Sequence, residues 1–203
     1  MISQKPETGN GKRPHIAFSA GYLERARDPK DYVRCTKYCF RAIIRAMLMI
    51  SVIIPTYNRA TVLPRAIASV LAQKGANFEL IIVDDGSTDN TRALMNDPLH
   101  TRCVTLHTGC VGGENKGPSA ARNLGIGHTK GEWIAFLDSD DEWMPGKLQA
   151  QLEFFRKNPD SLICQTEEIW IRNGIRVNPM KKHQKSGGWI FEKCLPLCVV
   201  SPS

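Results

Sequence analysis

Residues 50–75 read ISVIIPTYNRATVLPRAIASVLAQKG. The opening Ile/Val run is stopped by Pro55, the pattern of a strand buried on both faces. The period then changes. Leu63, Ile67, Val70 and Leu71 fall on one helical face, Pro64 sits in the first turn and Gly75 lies just past the end, so a helix is predicted. The polar link PTYN joins the two. The same alternation recurs downstream: ELIIVDDG (79–86) predicts a second buried strand, and STDNTRALMN (87–96), with capping residues at its head, a helix. CVTLH (103–107) predicts a short third strand, and after a Gly-rich loop PSAARNLGIGHT (118–129) a helix entered at Pro118. EWIAFLD (132–138) predicts a fourth strand and PGKLQAQLEFFRKNP (145–159) a helix starting at Pro145. Strands alternating with helices at this spacing imply an α/β fold with a mostly parallel, right-handed sheet.

The pattern changes beyond residue 160. SLICQTEEIWIRNGIRVN (161–178) predicts a strand, an Asn173-Gly174 hairpin turn and a return strand. GGWIFEKCLPLCVVSPS (187–203) holds one short helical stretch and an apolar, Ser/Pro-rich run, the signature of an incomplete domain.

Upstream, residues 1–48 form a leader distinct from the body at 49–203. Residues 1–31 show no sustained period and much Gly, Pro and charge, so weak order is expected. Tyr32–Leu48 has Val33, Phe40, Ile43, Ile44 and Met47 opposite Arg34, Lys37, Arg41 and Arg45. Two readings stand: a basic amphipathic helix in peripheral contact with an anionic membrane, or a stretch added by a start codon placed upstream of Met47 or Met49. The chain has 27 Lys+Arg and 20 Asp+Glu, and the leader holds 10 and 4 of these, leaving a near-neutral 17 and 16 in the body. Six of the seven net positive charges therefore belong to the leader, and the body carries no nucleic-acid footprint.

The seven cysteines are odd in number, lack a Cys-x-x-Cys pair and lie largely in apolar runs, as reduced cytosolic thiols do. Residues 1–30 have no secretory signal pattern. The longest apolar stretch, AMLMISVII (46–54), is far short of the roughly 20 residues of a membrane span.

Ligands of open parallel sheets bind beyond the carboxyl ends of the strands. There the sequence places PTYN (55–58), DDGSTD (84–89) and DSDDE (138–142). Each has a plain reading as a cap or turn, and acids gain roughly 0.3–1 kcal/mol each from a following helix dipole. That accounts for one or two carboxylates, not for Asp138, Asp140, Asp141 and Glu142 together. Asp138 and Asp140 are two apart, so continued strand geometry faces both carboxylates the same way. Such a DxD pair can hold Mg²⁺ or Mn²⁺, with water and phosphate oxygens filling the other positions. An EF-hand fails, because Trp143 and Gln149 stand where Gly and Glu are needed, and neither a P-loop nor a dinucleotide fingerprint is present. With a cation carrying a diphosphate, Tyr57 offers a ring for base stacking, Asn58 an amide, and Asp84 an acceptor for a base N–H or ribose hydroxyl.

SVIIPTYNRATVLPRAIASVLAQ, LIIVDDGSTDNT, NKGPSAARNLGI and WIAFLDSDDEW together resemble, in order and spacing, family 2 glycosyltransferases. The resemblance is strong over about residues 49–165 and looser in the tail. It implies a GT-A, Rossmann-like fold and transfer of a sugar from a nucleotide diphosphate donor, UDP-type, to a glycan or lipid-linked acceptor hydroxyl with inversion. It assigns Pro55, Thr56, Tyr57 and Asn58 to the nucleoside pocket, Asp84 to the base with Asp85 close by, and Arg122 and Asn123 to the donor. Asp138 and Ser139 then lie near the ribose and metal, and Asp140 is the principal metal ligand, with Asp141 a weaker candidate. The general base of such enzymes is a carboxylate downstream of the hairpin, expected here beyond Ser203; Glu167, Glu168 and Glu192 do not match its motif. Two competing readings are a nucleotide-sugar-binding fragment without turnover and a nucleotidyltransferase, the latter disfavoured because PTYNRATV lacks the Gly-rich loop it needs. Surface glycan assembly at the cytoplasmic face of a bacterial membrane is the setting the family implies.

Overall fold

The computed structural model describes residues 2–4, 49–95, 104–108, 115–178, 185–188 and 190–194. The amphipathic stretch 32–48, the Gly-rich loop before Asn115, the basic run 179–184 and every cysteine except Cys164 and Cys194 lie outside them.

Six strands form one sheet: β1 (Ile2–Gln4), β2 (Met49–Thr56), β3 (Asn77–Asp84), β4 (Val104–Thr108), β5 (Trp133–Phe136) and β6 (Ile163–Cys164), in the order β4-β3-β2-β5-β1-β6. β4, β3, β2 and β5 are parallel, whereas β1 runs antiparallel to both of its neighbours. The mostly parallel α/β fold read from the alternation is present. Ile2–Gln4, in a leader expected to be weakly ordered, are a strand because the edge of β5 offers backbone groups that three extended residues satisfy.

The helices are α1 (Leu63–Leu71), α2 (Thr91–Met95), α3 (Pro118–Gly127), α4 (Lys147–Lys157) and α5 (Phe191–Cys194). Alternate side chains of β2 serve opposite layers. Ile50, Val52 and Ile54 pack with Leu63, Ile67 and Val70 of α1 and with Leu148 and Phe155 of α4. Ile53 packs with Ile81, Val83, Ile134 and Ala121 of α3. Covering both faces is why these strands are continuously apolar. On α1 Ala66 is buried, whereas Leu71, read as part of the apolar face, is 37% exposed at the last turn.

α4 starts two residues later than predicted. Gly146, at φ 80, adopts a left-handed conformation that ends the loop, so Pro145 stands outside the helix. β7 (Trp170–Arg172) and β8 (Ile175–Val177) form the predicted hairpin, with Asn173 and Gly174 both at positive φ, as a type I′ turn requires.

Candidate functional site

The carboxyl ends of β2, β3 and β5 surround a cleft of about 340 Å³. Its walls include Pro55 and Thr56 at the end of β2 with Tyr57 just beyond, Asp85 after β3, and Asp138, Ser139 and Asp140 after β5. Arg122 of α3 is the remaining wall residue foreseen from sequence, while Arg59, Asn115, Pro118 and Ala121 were not singled out. Arg59 directly follows PTYN, and Asn115 ends a Gly-rich loop; their positions beside recognised motifs were the available signal.

Asn58, Asp84 and Asn123 do not line the cleft. Asn58, at φ 51, turns the chain, and its Oδ1 accepts the Thr88 N–H at 2.8 Å and the Asp89 N–H at 3.3 Å. Its own N–H donates to Ser87 Oγ at 2.9 Å. The Arg59 N–H donates to buried Thr91 Oγ1 at 2.9 Å, and the Ala60 N–H to Asp89 Oδ2 at 3.1 Å. PTYN is thereby laced to the loop entering α2. Asp84 is buried, and its Oδ1 accepts both the N–H and the hydroxyl of Ser87, closing the turn after β3. Asn123 is exposed on α3.

Asp85 is also buried, and its carboxylate accepts the N–H groups of Lys116 and Gly117, the latter at 2.7 Å. It pins the start of α3 and so places Arg122. Helix and sheet approach closely there: a Cβ on Gly125 would stand 2.6 Å from Ile53 Cγ2. Asp89 receives the Thr91 hydroxyl and backbone N–H groups, which hold its carboxyl below the ordinary range.

The acidic loop is neutralised by arginines. Arg122 Nη2 meets Asp138 Oδ1 at 2.5 Å, Arg65 Nε meets Glu142 Oε1 at 2.6 Å, and Arg59 Nη2 lies 3.7 Å from Asp140 Oδ2. Arg65 also donates to the Asp140 carbonyl oxygen at 3.2 Å. The dipole of α4 contributes little, because its first turn has no acid and no side chain caps it. Nor does strand geometry align Asp138 with Asp140, since β5 ends at Phe136; the loop nonetheless brings both to the cleft while Ser139 is buried.

Among the described residues no group of three or more His, Cys, Asp or Glu forms a metal cage. Asp138 and Asp140 fit a hard divalent cation in another way, as two carboxylates at the rim of a cleft where phosphate and water oxygens supply the remaining positions. Two buried polar atoms also lack a hydrogen-bond partner among the described residues, Thr56 Oγ1 and Arg122 Nε, and both residues line the cleft. Orphaned donors beside two carboxylates suit a polar ligand that bears both acceptors and hydroxyls.

Behind the acidic loop Lys147 lies 4.9 Å from the Trp143 ring centroid. Burial pushes its pKa down to about 8, against the opposing pull of Asp141, Glu168 and Cys164. Burial pushes the Cys164 thiol up. Glu168 pairs with Lys185 at 2.6 Å and accepts from Trp170 Nε1 at 3.1 Å.

The sequence model of the family described as glycosyl transferase family 2 matches residues 51–192. An uncharacterized glycosyltransferase of Rickettsia bellii is 44% identical over 153 residues, covering 75% of this chain and 21% of that protein. The Escherichia coli UDP-Glc:alpha-D-GlcNAc-diphosphoundecaprenol beta-1,3-glucosyltransferase WfgD is 38% identical over 127 residues, covering 63% of this chain and 49% of its own length. The chain thus spans half or less of these relatives. Among solved structures, S. aureus TarS aligns with a TM-score of 0.50 at 27% identity, over 55% of this chain and 20% of that one. No helix among the described residues is long and apolar enough to cross a membrane.

Proposed function

The chain belongs to glycosyl transferase family 2, and on that premise we propose that its cleft binds a UDP-type sugar donor together with Mn²⁺ or Mg²⁺. The observation that carries this reading is one cleft holding Asp138, Asp140 and the orphaned Thr56 Oγ1 and Arg122 Nε. Tyr57, 42% exposed at the rim, offers its ring to the base. Thr56 and Ser139 offer short polar contacts to the nucleoside side, and Asp85 holds the wall from which Arg122 reaches the phosphates. Asp84 and Asn58 keep the two loops in place. A divalent cation held by Asp138 and Asp140 supplies Lewis-acid stabilisation of the leaving diphosphate.

The reaction of the whole enzyme is transfer of the sugar to an acceptor hydroxyl with inversion. WfgD, whose name specifies a UDP-Glc donor and a diphosphoundecaprenol-linked acceptor, supports a lipid-linked acceptor; assembly at the inner face of the cytoplasmic membrane is part of the same proposal. Inversion needs a carboxylate to take the acceptor proton. Among the described residues the only carboxylates of the cleft are Asp85, tied to two backbone N–H groups, and the acidic-loop pair, so the base comes from elsewhere. Donor binding without turnover by the 203-residue chain is the second reading, favoured by that gap.

Calorimetric titration of the chain with UDP-glucose decides the matter. Binding that needs Mn²⁺, and falls at least about tenfold in Asp140→Ala, is expected. Tight binding without metal, or an unchanged affinity in Asp140→Ala, rejects the assignment, and robust sugar transfer rejects the missing base.

A further inference from the structure

The three arginines that balance the acidic loop are not held alike. Arg122 and Arg65 make close ion pairs with Asp138 and Glu142, at 2.5 and 2.6 Å. Arg59 stands 3.7 Å from Asp140, too far for a hydrogen bond, with both side chains about half exposed. Such a pair is weak and its geometry is readily given up. The Arg59 backbone, in contrast, is fixed at both ends. Its N–H donates to Thr91 Oγ1 at 2.9 Å, and its carbonyl oxygen accepts the N–H groups of Val62 and Leu63 at 3.1 and 2.9 Å. An anchored backbone bearing a loosely tethered guanidinium at the wall of a cleft is suited to changing partners.

The charges give that change a direction. Three carboxylates, Asp85, Asp138 and Asp140, and two guanidiniums, Arg59 and Arg122, line the cleft. A divalent ion reaching Asp140 meets the Arg59 guanidinium a few ångströms away, and like charges at that separation repel. The diphosphate accompanying the ion is the nearest anion, and a planar guanidinium matches phosphate oxygens with two parallel N–H bonds.

We propose that Arg59 is an exchangeable counter-ion: it neutralises Asp140 in the ligand-free protein and turns to the donor diphosphate when the divalent cation takes its place. This rests on the reading of the cleft as a nucleotide diphosphate site. It makes Arg59 a donor-binding residue and, toward the metal alone, a competitor. Arg65 is the natural control, because it carries the same charge beside the same loop but does not line the cleft and clamps the loop through Glu142 and the Asp140 carbonyl.

The test uses the full chain and two probes, Mn²⁺ alone, followed by the resonance of the free ion, and UDP at saturating Mn²⁺, followed by calorimetry. Arg59→Gln is expected to bind Mn²⁺ alone about threefold tighter and UDP about tenfold weaker, opposite signs from one substitution. Arg59→Lys keeps the charge and is expected to restore wild-type Mn²⁺ affinity with only part of the UDP affinity. Arg65→Gln is expected to change both by less than about twofold. The proposal is overturned if Arg59→Gln shifts both affinities the same way or neither, or if Arg65→Gln reproduces the pair of shifts. Failure of the wild-type chain to bind UDP with Mn²⁺ instead rejects the nucleotide reading on which the proposal stands.

Discussion

The two ends of the parallel sheet use similar side chains to opposite effect. At the amino end, buried Ser51 donates to Glu79 Oε1 at 2.6 Å and accepts the Gly131 N–H at 2.9 Å, while Glu79 Oε1 also accepts the Lys130 N–H at 2.6 Å. Gly131 is part of the knot: a Cβ there would lie 2.5 Å from the Met49 carbonyl oxygen. At the carboxyl end of β2, Thr56 is equally buried, yet its hydroxyl has no partner among the described residues. At the amino end a hydroxyl and a carboxylate serve the fold and satisfy one another; at the cleft the Thr56 hydroxyl stays available. An orphaned buried hydroxyl costs roughly 1–3 kcal/mol, a cost that a polar ligand group in the cleft would offset.

The strongest challenge to this contrast is Gly131→Ala. Backbone atoms cannot yield as a side-chain tip does, so a loss of about 3 kcal/mol in urea unfolding is expected, with UDP affinity of the folded protein unchanged. A changed affinity would break the division between the two ends. Next is Lys147, a cation beneath the acidic loop that is neither well satisfied nor open. Its folded pKa, about 8, lies below the ordinary value of 10.5. Between these values the unfolded chain binds the proton and the folded chain does not, so stability rises with pH across that window; below about pH 8 the penalty is fully present. Lys147→Met is expected to gain about 2–3 kcal/mol at pH 7, a gain that fades as pH approaches 10.5 in unfolding curves. A flat difference between variant and wild type would show that the partly buried cation is not penalised.

Two smaller changes form a pair of opposite sign. Ser51→Ala orphans the Gly131 N–H and is expected to lower stability by about 1–2 kcal/mol without touching UDP binding. Thr56→Val removes the orphan itself, and is expected to raise stability by about 1 kcal/mol while weakening UDP binding. Thermal melts and the UDP titration on the same samples read both, and matching signs would erase the contrast.

The sheet was legible because a run such as Ile50–Ile54, apolar at all but Ser51, has few alternatives to a buried strand, although the strand does not stop at Pro55 as read but pairs on through Thr56. The start of α4 was not, since Pro145 is a good first helical residue and only the left-handed Gly146 moves the boundary. The cleft was legible as three polar clusters but not as individual roles. Asn58 and Asp84 are short polar groups at strand ends, which build turns as readily as they touch ligands, and here they bond Thr88, Asp89 and Ser87. The partners of the acidic loop were hidden for a different reason. Arg59 and Arg65 lie some 75 residues or more upstream of the carboxylates they meet, and ion pairs between such separated segments leave no periodic trace.

The lacing of Asn58, Arg59 and Ala60 to the loop before α2 has a consequence for tempo. Two crossover segments are joined by six hydrogen bonds that Asn58, Arg59 and Ala60 make with Ser87, Thr88, Asp89 and Thr91, so this rim of the cleft is tied together in the empty protein. Its amide protons are expected to exchange more slowly with deuterium than those of an untied loop, and the nucleotide proposed for the cleft would meet a rim with little ordering left to do.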